Sequence, residues 1–100
     1  EPESGSGRLG IKVERITREN ARQYNLGDIT RGVIVVQVEG GSPADAAGVQ
    51  PGDVILRANG REMENAGDLE AAIKNLKSGD RVPLVIRREK TRTLISVELP

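Results

Sequence analysis

Residues 40–60 constrain this chain more than any other stretch, because they set a start or stop signal for the backbone every few positions. Gly40-Gly41 closes what precedes it. Ser42 is a good N-cap, and Pro43 suits the first helical position, where its missing N–H needs no partner. Gly48 suits the left-handed position that ends a helix, so a very short helix over residues 43–47 is predicted. Pro51-Gly52-Asp53 then turns the chain into Val54-Ile55-Leu56, which reads as a buried strand. Asn59-Gly60 supplies two residues that tolerate positive φ, as a tight hairpin requires, and residues 61–63 form the short return. Caps, small alanines and turns account for every position in this run without a ligand.

The remaining segments read as strands and helices of ordinary pattern. Leu9, Ile11 and Val13 alternate with Gly10, Lys12 and Glu14, the signature of a half-buried strand. Thr17 can cap a short helix over residues 18–24 that Gly27 ends. Val33-Ile34-Val35-Val36 followed by Val38 is a β-branched run suited to a central strand covered on both faces. Asn65 and Asp68 form a box-like capping pair for the longest helix, expected to run to about Lys77 before Ser78-Gly79-Asp80. Val82, Leu84 and Ile86 face the same core as Ile95, Val97 and Leu99, in an antiparallel hairpin turning around residues 89–91. The sum is an α+β sheet domain of five to six strands and two to three helices.

Composition narrows the function classes. One hundred residues hold a single core. That core must be aliphatic, because Phe and Trp are absent and Tyr24 is the only aromatic residue, which also removes base stacking. The 15 basic and 15 acidic residues cancel, so the chain lacks the broad positive field of a nucleic-acid or anionic-membrane binder. With neither Cys nor His, thiolate nucleophiles, disulfides, zinc fingers and a Ser-His-Asp triad within the chain are excluded. No run approaches the roughly 20 apolar residues of a membrane helix, and no basic-then-apolar signal segment opens the chain. Residues 1–7, rich in Gly and Ser, read as a linker or expression remnant, with one domain over residues 8–100. The lack of an initiator Met suits a domain excised from a longer parent.

Several motifs have two readings. Gly5-Ser6-Gly7-Arg8-Leu9-Gly10 matches the dinucleotide fingerprint by letter, but that motif needs a helix after it, and a strand follows here. In Arg8-Leu9-Gly10-Ile11 a glycine opens an amphipathic strand. Backbone N–H groups in such a turn can bind a carboxylate while the strand edge accepts an extended peptide, the other reading being an ordinary loop. On the long helix Leu69, Ala72 and Leu76 share one stripe, expected to pack on the sheet, and Ala66, Glu70, Ile73 and Lys74 lie on the next, expected to face a groove, the other reading being that Ile73 is simply core. Arg87, Arg88, Lys90 and Arg92 concentrate charge on the last hairpin and read as a solvated face, and Glu62, Glu64 and Asp68 fit no calcium loop. Ser78 beside Lys77 is the one candidate nucleophile pair, in a turn where neighbouring side chains diverge. No catalytic residue, metal site or cofactor is therefore expected in this chain.

Gly-Ser-Pro-Ala at 41–44, Ala-Gly at 47–48, Pro-Gly-Asp-Val-Ile at 51–55 and Asn-Gly at 59–60 together resemble the PDZ domain, in the bacterial form of HtrA/Do-family (DegP/DegQ-like) serine proteases. The resemblance covers residues 8–99. It implies a small partly open β-barrel or sandwich in permuted bacterial order, most like the second, C-terminal PDZ of such proteases. By this likeness Arg8, Leu9, Gly10 and Ile11 correspond to a carboxylate-binding loop, and Lys12 and Val13 continue the strand that pairs with a peptide. Residues 65–77 would form the other groove wall, with Glu70 and Lys74 on its groove stripe, Ile73 at the last ligand side chain and Ala66 two positions before it. Eukaryotic members that select Ser or Thr there carry a histidine where Ala66 falls, so an apolar residue is expected instead. The resemblance further implies partners with hydrophobic C-termini, unfolded proteins among them, a parent serine endopeptidase whose triad lies elsewhere, and a periplasmic or envelope location. The alternative is an assembly contact between protease subunits, with an unused groove.

Overall fold

The computed structural model describes residues 4–6, 9–24, 31–88 and 91–99. The chain runs β1 (Ser4–Ser6), β2 (Ile11–Arg15), α1 (Arg18–Gln23), β3 (Val33–Val38), α2 (Pro43–Ala47), β4 (Val54–Ala58), β5 (Arg61–Glu62), α3 (Ala66–Ile73), β6 (Arg81–Arg88) and β7 (Thr91–Glu98). The strands form one antiparallel sheet in the order β1-β2-β3-β4-β6-β7, with β5 paired to β4. This is the α+β fold expected, with three helices and, among the described residues, one strand more than the five or six expected.

Local signals place most of these elements. Thr17 caps α1 through a capping box with Asn20, whose buried amide also donates to the Arg15 carbonyl at 2.8 Å. Ser42 caps α2, whose C-cap Gly48 has φ +96°. At the β4–β5 hairpin Asn59 and Gly60 have φ of 52° and 80°, the pair of left-handed residues that the tight turn needs. The expected turns at Gly27 and at residues 89–90 lie outside the described residues.

The core is aliphatic throughout. Leu9, Ile11, Val13, Val33, Val35, Ile55, Leu69, Val82, Leu84, Ile86, Val97 and Leu99 belong to one buried cluster, with Ile95 packed on its margin. Ile34 and Val54 lie on the other face of the sheet with Ile16, Ala21, Tyr24 and Leu56, so β3 is covered on both sides, as its unbroken β-branched run requires.

Two elements depart from the sequence reading. The long helix ends at Ile73 rather than about Lys77. The Asn59 side-chain amide takes the Ala72 carbonyl at 3.2 Å, Leu76 N donates to the Ile73 carbonyl at 3.1 Å, and Lys77 N donates to the Asp80 carboxylate at 2.8 Å. These partners satisfy the helix end and start the next turn early. The stretch read as linker carries β1, which adds to the outer edge of β2. Strand pairing is a backbone property and needs no apolar side chain, so nothing in Ser4-Gly5-Ser6 announces it.

Candidate functional site

The site is built on β2, the turn before it, and α3. Gly10 has φ +79°, and a Cβ placed there would lie 2.3 Å from Ser42 Cβ, so only glycine permits this approach. The Leu9 carbonyl accepts from Ala44 N at 3.1 Å and the Gly10 carbonyl from Glu39 N at 2.8 Å. Ser42 Oγ in turn accepts from Asp45 N at 3.2 Å, and the Asp45 carboxylate accepts from Gly41 N at 2.9 Å. The caps at residues 40–48, which look like mere punctuation in the sequence, are thus the buttress against which the turn at residues 9–10 is held.

β2 pairs with β3 along its inner edge, with a shift in register between Lys12 and Val13. Its outer edge pairs antiparallel with β1, placing Ser4 opposite Val13, Gly5 opposite Lys12 and Ser6 opposite Ile11. α3 runs alongside β1 and β2. Both ends of that helix are fixed. Asn65 Oδ1 accepts from Asp68 N at 3.1 Å while Asp68 Oδ2 accepts from Glu64 N at 2.9 Å and Asn65 N at 3.3 Å, and Asn59 holds the other end.

The structure brings Leu9, Ile11, Val13 and Ile73 into one cluster, all 4% exposed or less. The two helix stripes are not divided as the spacing suggests: Leu69 and Ile73 are both buried, Ala72 and Leu76 are half-buried at the margin, and Glu70 and Lys74 are exposed. Lys12 is exposed, on the face of β2 opposite the cluster. Arg8 and the side chain of Ala66 lie outside the described residues. The sequence spacing over residues 5–10 that matches a dinucleotide fingerprint leads into β2, so no helix N-terminus meets it.

Two of the three acidic residues weighed as a cation site are engaged elsewhere. Glu62 pairs with Arg57 at 3.3 Å and Arg31 at 3.8 Å, and Asp68 caps α3 and meets Arg61 at 3.6 Å. Among the described residues no group of three or more His, Cys, Asp or Glu could hold a metal ion, and no helix is long and apolar enough to cross a membrane.

One pairing has no sign in the sequence. Arg88, read there as part of a solvated face, makes a two-pronged contact with the buried Asp53, from Nε to Oδ1 at 2.9 Å and from Nη2 to Oδ2 at 2.7 Å, and also donates to the Gly48 carbonyl at 2.8 Å. Asp53 Oδ2 accepts from Gln50 N at 2.9 Å as well. The hydrogen bond to Asp53 raises the Arg88 pKa above its usual value, against the lowering effect of burial. The even alternation along β6 hid this, since nothing local distinguishes Arg88 from Arg87.

Comparison with known proteins bears on the fold and the family. The PDZ domain family matches residues 7–99. The chain is 41% identical over 94 residues to the serine protease Do-like HtrB of Bacillus subtilis, covering 86% of this chain and 20% of the relative. It is 40% identical over 79 residues to a probable periplasmic serine endoprotease, DegP-like, of Chlamydia trachomatis, covering 79% of this chain and 16% of the relative. The chain therefore spans about a fifth or less of these relatives. Among solved structures, the HtrA3 PDZ domain bound to a phage-derived ligand (FGRWV) superposes with a TM-score of 0.76 at 27% identity, over 92% of this chain and 83% of that one. The HtrA-type protease AlgW with a decapeptide gives 0.80 at 26% identity, over 97% of this chain and 29% of that one. From the turn held against Ser42 to the terminal β6–β7 pair, the chain belongs to the PDZ domain family, in the form found in DegP- and HtrA-like serine proteases, and is a non-catalytic module of that kind.

Proposed function

We propose that this domain captures C-terminal or extended hydrophobic peptide segments by strand addition to β2, and so serves substrate recognition or regulation in a parent serine endopeptidase of the bacterial periplasm or envelope. The observation that carries this reading is the outer edge of β2, which already forms an antiparallel ladder with Ser4–Ser6 beside α3 and so offers the backbone pattern that an added strand uses. Two of the structural neighbours hold peptides, and the relatives are named periplasmic proteases. In this reading the domain proper covers residues 8–100 and corresponds to the second PDZ of such a protease. Leu9, Ile11 and Ile73, which are packed at the margin of β2 and α3 at 4% exposure or less, would have to open to take the last side chain, the turn from Arg8 to Ile11 receives the carboxylate, Lys12 and Val13 pair with the peptide backbone, and Ala66, Glu70 and Lys74 flank its earlier residues.

The test is fluorescence anisotropy against peptides ending in Val, Leu, Ile, Phe or Ala, each as free acid and as C-terminal amide. Saturable binding lost on amidation is expected. Substitution of Gly10 by Pro is no test, because φ of +79° excludes the proline ring and the fold would fail first. One observation favours a second reading, a contact between subunits: Leu94 is 68% exposed and stands opposite Val85 on the outer face of the sheet. No binding to either peptide form, with self-association in analytical ultracentrifugation, would select that reading.

A further inference from the structure

Whatever enters the groove must pair with an edge of β2 that the chain itself already covers. β1 runs antiparallel to β2 with Ser6 opposite Ile11 and Ser4 opposite Val13, and it lies against α3. Its direction is therefore that of a peptide whose C-terminal end reaches the turn before β2. Ser6 stands opposite Ile11, the first residue after that turn, so segment and peptide terminus claim one approach. Only four residues separate Ser6 from Ile11, which makes closure cheap in entropy and the local concentration of the segment high, on the order of millimolar.

The chemistry of the segment makes its hold weak. Ser4-Gly5-Ser6 carries no side-chain carbon beyond Cβ, so its pairing adds backbone hydrogen bonds with almost no apolar burial, and Gly5 adds the entropy cost of ordering a glycine. A peptide with an aliphatic last residue would form the same ladder and bury that side chain as well. We infer that Ser4–Ser6 is a built-in occupant of the β2 edge, which shields it from unwanted strand pairing and which a peptide ligand must displace. This rests on the strand-addition reading above. The apparent affinity of the groove is then lowered by the fraction of molecules in which the segment is seated.

The experiment compares the full 100-residue chain with a variant carrying Ser4→Pro, Gly5→Pro and Ser6→Pro together, which keeps the tether and removes every N–H of the segment. Hydrogen exchange of the Ile11–Arg15 amides is read without peptide, and a free-acid peptide ending in Val is titrated by anisotropy. Unchanged protection in β6 and β7 certifies the fold of the variant. The expected result is faster exchange on the outer edge of β2 and affinity increased about three- to tenfold. Unchanged β2 exchange overturns the inference whatever the peptide does, and faster exchange with unchanged affinity overturns it too, because segment and peptide then do not compete. Faster exchange with no peptide bound by either chain supports the occupancy and sinks the strand-addition reading, so the two fail separately.

Discussion

Two parts of one sheet are secured in opposite ways. At the corner of α2, β4 and β6, side chains carry the work: Asp53 is 2% exposed, Arg88 grips it with two hydrogen bonds, and Gly48 and Gln50 supply further backbone partners. At the outer edge of β2 the third strand of the local ladder is Ser-Gly-Ser, held by backbone pairing. Buried charge tolerates no exchange of partner, since removing one member strands the other in a poor solvent. A backbone ladder is indifferent to sequence and can trade one strand for another. A single domain thus keeps a permanent corner and an exchangeable edge.

The turn joining these regimes should give the largest effect. Gly10→Ala forces a Cβ into Ser42 and a side chain onto φ of +79°, and it disturbs the Ser42 cap of α2, so a loss of about 4 kcal/mol in urea unfolding is expected. A loss below about 1 kcal/mol would mean that the turn is not held against α2. Arg88→Met comes next, with a loss of about 2 kcal/mol, less than for a fully buried pair because the Arg88 side chain is 40% exposed. The pH dependence of this pair follows from the raised Arg88 pKa. Stabilisation is complete below the unfolded guanidinium pKa and is lost only as pH rises through the higher folded value, so the Arg88→Met penalty should be the same at pH 7 and pH 9. A penalty that vanished at pH 9 would assign the stability to another group. The smallest effect belongs to the groove rim: Lys74→Ala, at an exposed position, should change stability by less than about 0.5 kcal/mol and peptide affinity by about twofold at most. A larger change in affinity would mean that Lys74 contributes binding energy rather than merely flanking the peptide, and would blur the contrast between edge and corner.

Much of the fold was legible from local chemistry. Ser42, Pro43 and Gly48 bounded α2, Thr17 opened α1, and Asn59-Gly60 turned the β4–β5 hairpin, because caps and turns act within three or four residues of themselves. Alternation likewise assigned Leu9, Ile11 and Val13, and Val82, Leu84 and Ile86, to the core face. The candidate site was legible in outline, as a glycine turn leading into a strand with a helix opposite. Its support was not. That Gly10 lies against Ser42 depends on how β3 delivers α2 back to the start of β2, which no window of a few residues encodes.

What the sequence determined by itself was therefore the kind of most elements from residue 9 onward and the family to which the chain belongs, since both rest on short-range signals. The tertiary structure alone decided three things: that α3 stops where Asn59 meets Ala72, that Arg88 finds Asp53 across 35 residues, and that a serine-glycine segment lies on the edge of β2. Each depends on register and packing between distant segments, where the energy lies in the pairing rather than in either partner, and so neither partner announces it.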